Sequence, residues 1–289
     1  MTAERPMRLL ISCPDQHGIV AAVSGFLYER GANTVEADQH ATEPEGGTFF
    51  MRMVFGLEGL ERDRDASDAF ERDFGERVGT RFAMDWRVTY PDAPRRVALM
   101  ASREDHCLID LLWRRRRGDF EGEVTQVVST FDHHRQDVEA FGVPFHHVPV
   151  EPDGQAAAPA RMLGLLTGNV ELVVLARYMR ILSGEFLAGV GAPVINIHHS
   201  FLPAFAGAEP YRRTHERGVK VIGATAHYVI EELDAGPIIE QDVARVSHRQ
   251  GVADLTRLGQ DIERVVLARA VRWHLEDRIL VHENRTVVF

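Results

Sequence analysis

The chain has 289 residues, 45% of them hydrophobic, so it is long enough to bury a sizeable core and to form two domains. A formal net charge of -10 and a pI near 5.8 argue against a nucleic-acid surface, because phosphate binding depends on clustered Lys and Arg. The cluster from Arg114 to Arg117 is interpreted as the solvated end of a helix. Two cysteines cannot form a disulfide framework, and no apolar run is long enough to cross a bilayer, so we expect a cytoplasmic protein.

Between Met7 and Tyr90 the patterns run strand, helix, strand, strand, helix, strand. The first strand is a short apolar run that is stopped by turn-forming residues, and apolar residues then recur at helical spacing as far as a glycine. The predicted elements are a strand from Arg8 to Cys13, a helix ending at Gly31, strands from Thr34 to Asp38 and from Thr48 to Gly56, an exposed helix from Asp65 to Arg77, and a last strand from Arg81 to Thr89.

That order and the turn from Asp15 to Gly18 resemble the ACT regulatory domain, a ferredoxin-like βαββαβ module that usually binds an amino acid and pairs edge to edge. The resemblance implies an effector site at Gly18 and Asn33, and a homo-oligomer, either a dimer or a tetramer. Exposed N–H groups at the start of a helix would favour an effector carboxylate. A second interpretation stays open, in which Asp15 caps the helix and Gly18 and Asn33 only turn the chain.

Tyr90 to Arg96 contains two prolines and little apolar content, which is typical of a linker. We therefore predict a first domain over 1–90, a linker over 91–96 and a second domain over 97–289. In the second domain, apolar runs alternate with helical segments, which predicts a doubly wound, mostly parallel α/β fold. Asp254 to Glu276 carries apolar residues at helical spacing and is predicted to pack on that sheet as a long helix.

The strongest candidates for catalytic side chains are Asn196 and His198, followed some three dozen residues later by Asp234 in a Leu-Asp-Ala-Gly turn. An amide donor, an imidazole and a carboxylate form a plausible set for acyl transfer. The Asn can hold an oxyanion, the His can move a proton, and the Asp can orient or deprotonate. Which of His198 and Asp234 is the base stays open, because the protons of two such groups are coupled.

Residues from about Arg96 to Phe289 resemble the formyltransferases that use formyltetrahydrofolate, and the whole chain resembles the formyltetrahydrofolate deformylase family. Four ordered motifs carry this resemblance: Leu175 to Ser183, Asn196 to Pro203, Gly223 to Val229 and Asp234 to Ile239. The resemblance implies that Asn196, His198 and Asp234 are catalytic. It also implies that Met179, Arg180, Ile181 and Leu182 line the folate pocket, partly through backbone groups.

Several further polar residues are assigned around this constellation. His199 should point away from His198 in an extended segment, and His227 is a candidate for supporting the site or for packing in the core. Arg177 and Arg180 are candidates for a basic rim near the acidic tail of folate. No metal is expected, because His133, His134, His146 and His147 have no Cys, Asp or Glu at ligand spacing. The loop at 130–134 departs from the relatives, in which an Asn would precede the His.

The resemblance also bears on the acceptor of the formyl group. Relatives that formylate a phosphorylated amine hold its phosphate in a glycine-rich loop after the first strand. The corresponding stretch here, Ser102 to Cys107, has no glycine and contains Glu104 and Asp105, which would repel a phosphate. Water is therefore the expected acceptor, folate is the substrate, and no cofactor is expected. Two alternatives stay open: a formyltransferase to an amine such as glycinamide ribonucleotide, and a folate- or amino-acid-binding regulator without activity.

Overall fold

The computed structural model describes residues 6–43, 46–60, 64–90, 93–150, 157–203 and 210–289. The chain divides into two compact units. The first comprises Met1–Pro94, Asp277–His282 and Val287–Phe289, and the second comprises Arg95–Glu276 and Glu283–Thr286. The division between Pro94 and Arg95 falls inside the predicted linker 91–96, of which residues 91 and 92 lie outside the described residues. The end of the predicted domain 97–289 is shared between the two units.

The first unit is a four-stranded antiparallel sheet with helices, in the predicted βαββαβ order. The strand order is β2-β3-β1-β4, so the first and third strands are central. Side chains from one face of these two strands join Phe26, Phe70 and Phe74 in the core of this unit, where the aromatic rings meet edge to face. The elements are β1 (Met7–Pro14), α1 (Ile19–Glu29), β2 (Asn33–Ala41), β3 (Thr48–Gly56), α2 (Arg64–Phe74) and β4 (Asp85–Thr89).

The last strand of this unit starts later than predicted, at Asp85 instead of Arg81. After α2 the chain continues through a π-helical turn, Gly75–Gly79, and a 3-10 turn, Thr80–Phe82. Ala83 then reverses the chain with a φ of 50°. The period-2 pattern from residue 81 onwards was therefore misleading, because its first apolar residue, Phe82, is buried from a turn.

The second unit is a seven-stranded sheet with the order β11-β10-β9-β8-β5-β6-β7. The five strands from β9 to β7 are parallel, and β10 and β11 add an antiparallel edge. The elements are β5 (Arg96–Ala101), α3 (His106–Arg117), β6 (Glu123–Ser129), α4 (Arg135–Ala140), β7 (Phe145–His147), α5 (Ala157–Leu166), β8 (Leu172–Ala176), α6 (Gly184–Val190), β9 (Val194–His198), α7 (Pro210–Glu216), β10 (Val221–Tyr228), β11 (Ile238–Arg245) and α8 (Val252–Leu275). The predicted doubly wound, mostly parallel α/β fold is confirmed, and α3 ends in the Arg114 to Arg117 cluster as predicted.

Strand order determines where a crevice opens in this unit. Strands β5 and β8 are fully apolar and are buried on both faces, apart from the exposed Arg96. The chain runs outwards from β5 to β6 on one side and returns to β8 on the other, which is the topological switch point at which α/β folds bind ligands. The loops after β5, β8 and β9 meet at that edge. Two short strands near the chain end, β12 (Ile279–His282) and β13 (Arg285–Val288), were not predicted.

No helix within the described ranges is both long enough and apolar enough to span a membrane.

Candidate active site

The predicted Asn196 and His198 lie on β9, two residues apart, so their side chains project from the same face of the strand. The antiparallel neighbour β10 places His227 opposite Asn196 and Thr225 opposite His198. Residues directly opposite each other on adjacent strands have side chains in contact. The register therefore brings His227 to Asn196, and the Asn196 Nδ2 atom lies 3.2 Å from His227 Nε2.

Asp234 reaches the same place from the loop between β10 and β11. Its φ of 54° lies in the left-handed region, so the chain turns sharply at this residue. Gly236 lies so close to the Tyr228 carbonyl that any Cβ at this position would overlap the carbonyl oxygen. Asn284 Nδ2 donates to the carbonyl of Ala235 at 2.9 Å and holds the turn from its other side. The Asp-Ala-Gly sequence thus forms a turn that is tight enough to bring a carboxylate back over β9.

Asp234 is the centre of the polar constellation. Its Oδ2 lies 3.2 Å from His198 Nδ1, and its Oδ1 lies 3.6 Å from His227 Nε2. His227 Nδ1 lies 2.9 Å from the Tyr228 carbonyl, which can only accept, so Nδ1 carries a proton. His227 Nε2 can accept from Asn196 when it is unprotonated and can donate to Asp234 when it is protonated. The structure thus brings together Asn196, His198, Asp234 and the supporting candidate His227.

The electrostatics of the site favour an ionised Asp234. Hydrogen bonding from His198, followed by His227, lowers the pKa of Asp234 well below its usual range, although partial burial opposes this shift. The His198 side chain is only 8% exposed, and its Nε2 atom is buried without a hydrogen-bond partner. A buried polar atom without a partner is rare in a folded protein and calls for a ligand or a water. His198 therefore has one ring nitrogen without a partner, while Asp234 holds the ring through Nδ1.

The segment predicted to bind folate borders a cavity of about 510 Å³ that is also lined by Asn196, His198 and Asp234. Met179, Arg180, Ile181 and Leu182 lie in the loop after β8, and Met179 and Ile181 are 57% and 73% exposed. The amide of Met179 donates to Ser102 Oγ at 3.2 Å, and the amide of Arg180 donates to the Tyr178 carbonyl at 2.8 Å. Hydrogen bonds from backbone amides therefore hold the first half of the segment from Met179 to Leu182, while its large apolar side chains face solvent.

Arg177 also lines this cavity, and it belongs to a second group of polar residues around the fully buried Glu263. Arg177 Nε lies 3.4 Å from Glu263, whose carboxylate also lies 2.8 Å from His106 Nε2 and 2.6 Å from the Tyr211 hydroxyl. Burial would raise the pKa of Glu263, but His106, Arg177 and Tyr211 outweigh it and lower that pKa. The structure thus differs from the prediction for Arg177, whose side chain is 13% exposed and pairs with Glu263 instead of forming an open rim.

His199 is buried near this group and its ring centroid lies 4.9 Å from that of His198. Burial, the charge of Arg177 and the neighbouring His198 lower the pKa of His199 to about 4. His199 is therefore neutral at pH 7. It lines the same cavity as His198, and its ring does not turn fully away from the site.

Glu263 was missed from the sequence, although one signal was available. It is a carboxylate on the long helix α8, one turn before the apolar Val266 and Leu267, and it falls among the buried positions of that helix. An acidic residue is almost never fully buried unless it is paired, so its place in an apolar stripe indicates a polar network. No comparable signal existed for its partner Tyr211.

The histidines at 133, 134, 146 and 147 do not form a ligand set. His134 Nε2 lies 3.2 Å from the Ser102 carbonyl, and His133 Nε2 lies 3.1 Å from that of Arg103. In the part of the chain that the structure describes, the one group with ligand atoms in mutual reach is His106, Cys107 and Glu263. Burial, followed by the charge of Glu263, raises the pKa of the Cys107 thiol well above its usual value, so the thiol keeps its proton.

Gly18 and Asn33, the predicted effector positions, lie in the first unit. Gly18 precedes α1 with a φ of 92°, and α1 has no side-chain cap hydrogen bond, so Asp15 does not cap the helix. The Gly18 carbonyl accepts from the amide of Ala22 at 2.9 Å. Asn33 is the first residue of β2, and both Gly18 and Asn33 are exposed.

Comparisons with known proteins agree with this architecture. Residues 95–271 match the formyl transferase family model and residues 7–66 match the ACT domain model. The formyltetrahydrofolate deformylase of Mycobacterium tuberculosis is 57% identical over 282 residues, covering 98% of this chain and 90% of that protein. The formyltetrahydrofolate deformylase of Bacillus subtilis is 49% identical over 283 residues, covering 98% and 93%. A crystal structure of a formyltetrahydrofolate deformylase from Pseudomonas syringae matches with a TM-score of 0.93 at 48% identity, covering 100% of this chain and 96% of that one.

Proposed function

Because the chain belongs to the formyltetrahydrofolate deformylase family of hydrolases, we propose that it hydrolyses 10-formyltetrahydrofolate to tetrahydrofolate and formate. The observation that carries the proposal is the convergence of Asn196, His198 and Asp234 on one cavity of about 510 Å³. The set contains an oxyanion donor, a proton carrier and an ionised carboxylate. These are the groups that addition of water to an amide carbonyl requires.

His198 is the proposed base, and Asp234 is the group that orients it. The lowered pKa of Asp234 makes its carboxylate a poor proton acceptor, and its Oδ2 lies 3.2 Å from His198 Nδ1. His198 Nε2, which has no partner in the protein, is then the nitrogen that acts as the base. It takes a proton from water as the water oxygen bonds to the formyl carbon, and the carbonyl electron pair moves to the formyl oxygen.

The Asn196 side-chain amide donates to the oxyanion of the tetrahedral intermediate. Collapse of the intermediate restores the carbonyl and breaks the bond from carbon to the folate nitrogen. His198 Nε2 then delivers its proton to that nitrogen, so tetrahydrofolate and formic acid form in the cavity, and the acid gives its proton to water and is formate before it leaves. No prosthetic group is proposed, because the residues of this chain supply each proton transfer.

The folate ring system is proposed to lie along Met179, Arg180, Ile181 and Leu182. Two features support this location: the segment borders the cavity of the catalytic residues, and it exposes large apolar side chains that a bound ring system would cover. The exposed Arg180 is the candidate for pairing with the acidic tail of the substrate.

Control by an amino acid is proposed for the ACT unit, with the effector at Gly18 and Asn33. The same proposal includes a homo-oligomer and a cytoplasmic location. It also includes a role in supplying formate and in regulating the one-carbon pools used in purine synthesis. The φ of 92° at Gly18 supports a role for this residue, because a Gly18→Val variant would have to strain the backbone or move it. That variant should lose any response to amino acids while it keeps the basal rate.

The test is formate release from 10-formyltetrahydrofolate by the full-length chain in a buffer that contains no amine. Formate is measured with a coupled dehydrogenase, and tetrahydrofolate is measured by its absorbance. We expect equal amounts of the two products. Addition of glycinamide ribonucleotide should leave the formate yield unchanged. Transfer of the formyl group to the amine with loss of formate would instead favour the formyltransferase alternative. Repeating the assay with single amino acids tests the proposed control.

A further inference from the structure

Buried side-chain atoms without partners concentrate at one place in the second unit. Within the described ranges, the buried side-chain nitrogens that lack a hydrogen-bond partner are His106 Nδ1, Arg177 Nε, Arg177 Nη1 and His198 Nε2. His198 Nε2 is accounted for by the proposed reaction. The two Arg177 donors are not, and a guanidinium with buried N–H groups that no protein acceptor uses is suited to bind an anion.

Arg177 has an unusual backbone conformation at the end of β8. Arg177 is the first residue after β8 and has a φ of 61°, a left-handed conformation that is uncommon for any residue other than glycine. Such a conformation at a strand end costs free energy and persists where the surrounding structure fixes it. The side chain lines the same cavity as His198 and His199.

Glu263 holds the guanidinium without using up its donors. The Glu263 carboxylate accepts from Tyr211 at 2.6 Å and lies 2.8 Å from His106 Nε2, so two shorter contacts already occupy its oxygens. The contact from Arg177 Nε is 3.4 Å long and does not meet the geometry of a hydrogen bond, as the unpartnered state of Nε shows. Glu263 therefore fixes Arg177 mainly by charge and leaves Nη1 free for another acceptor.

The product of the proposed reaction is the kind of acceptor that fits. Formate is a small planar anion, and one of its carboxylate oxygens can accept a charge-assisted hydrogen bond from Arg177 Nη1 while Nε faces Glu263. Formate is also released beside the ionised Asp234, which repels it. Arg177 is a cation of the same cavity that has unused donors.

We propose that the guanidinium of Arg177, held by Glu263, is a binding site for the formate product next to Asn196 and His198. This inference rests on the proposed function, because formate is present in the cavity only if the formyl group is transferred to water. The site binds the leaving anion before it diffuses away, and it recognises small planar monoanions as a class. Arg177 is a product-binding residue in this proposal and takes no part in proton transfer.

The test measures formate binding directly, without turnover. Line broadening of 13C-labelled formate by the full-length protein gives the affinity, and inhibition of the forward reaction by added formate gives a second value. Nitrate, which is also a planar anion, should compete with formate for the site. Formamide has the shape of formate but no charge, and it should compete at least about tenfold less well.

Two substitutions, each of which replaces one arginine with methionine, distinguish a specific role of Arg177 from a general effect of positive charge. Arg177→Met should weaken formate binding by about tenfold or more, a change in line with the loss of one charged hydrogen-bonded contact. Arg180→Met removes an exposed cation that borders the same cavity, and it should change formate binding by less than about twofold. Because Arg177→Met alone leaves the buried Glu263 unbalanced, the double variant Arg177→Met, Glu263→Gln is measured with it.

The proposal is overturned if the wild-type protein fails to broaden the formate signal, if formamide competes as well as formate, or if both Arg177→Met proteins keep the wild-type affinity. Circular dichroism establishes that each variant is folded. If neither Met variant folds, Arg177→Lys keeps the charge beside Glu263 but lacks the planar fork, and it must still weaken formate binding by at least about threefold. Failure of the wild-type protein to release formate from 10-formyltetrahydrofolate would refute the proposed function, which the binding measurement does not test.

Discussion

Asn196 and His227 are opposite each other on the antiparallel strands β9 and β10, and the Asn196 side-chain nitrogen lies 3.2 Å from His227 Nε2. Since His227 Nδ1 is engaged with the Tyr228 carbonyl, the ring cannot rotate without losing that bond. The orientation of the amide is therefore set by the register of two strands. This pairing makes His227 a positioning residue for the proposed oxyanion donor.

Replacing His227 with Ala should lower kcat by roughly tenfold to a hundredfold, because a small misplacement of a reacting or stabilising group is enough for such a loss. KM should change little, since His227 touches the amide and the carboxylate and not the exposed segment around Met179. Steady-state rates on 10-formyltetrahydrofolate measure both constants. His248→Ala, which removes an exposed histidine, is the control and should have wild-type kinetics. An unchanged kcat in His227→Ala would remove the positioning role.

Asn196→Ala should bind folate as tightly as the wild type but lose about a hundredfold to a thousandfold in turnover, the usual effect of deleting one oxyanion donor. Binding is measured by titration with tetrahydrofolate, and turnover by formate release. Asn196 is partly buried in a strand, so thermal unfolding is recorded to establish that the variant is folded. A loss of turnover below about tenfold would contradict the role of Asn196.

Asp234→Asn should lower kcat by about a thousandfold or more, because a neutral amide no longer favours the proton on His198 Nδ1 that leaves Nε2 as the base. The substitution keeps the size of the side chain, so the turn and the affinity for folate should persist. Glu232→Gln removes a negative charge from an exposed position in the same loop and should have little effect. If the two variants lose activity equally, the loss comes from the loop charge in general and not from the contact with His198.

Some parts of this site could be predicted from the sequence and others could not, for physical reasons. Asn196 and His198 are near in sequence on one strand, so a local pattern was enough to place their side chains together. The burial of Arg177 depends on a φ of 61° after β8 and on Glu263, which lies far along the chain on α8. Neither the backbone angle nor the long-range contact has a local signature, so Arg177 was assigned to an exposed rim.

Gly236→Ala should destabilise the protein and displace Asp234, because a Cβ at residue 236 overlaps the Tyr228 carbonyl oxygen and the backbone has to move. Both the midpoint of thermal unfolding and kcat should fall, and kcat should fall more than tenfold if the turn shifts by about 1 Å. Gly164→Ala provides the matched control. That glycine lies in helix α5 with open space around it, so alanine should leave stability unchanged or raise it by roughly 0.5–1 kcal/mol. Wild-type kcat in Gly236→Ala would mean that Asp234 is not held by this turn.

The buried His199 predicts how stability depends on pH. Its pKa is lowered to about 4 in the folded protein, whereas an unfolded chain has a histidine pKa near 6.5. The unfolded state therefore binds more protons between these two values, so the contribution of His199 to stability is fully present above about pH 6.5 and is lost as the pH falls towards 4. Between about pH 7 and pH 5 the loss amounts to about 2 kcal/mol.

His199→Gln removes this titration while keeping a polar side chain. The difference in unfolding free energy between wild type and variant should shrink by about 2 kcal/mol from about pH 7 to pH 5, because every other titrating group is common to both proteins. Urea unfolding of the two proteins at matched pH values measures the difference. Parallel curves would mean that His199 titrates in the folded protein as it does in the unfolded chain, and they would contradict a pKa lowered by burial and by the charge of Arg177.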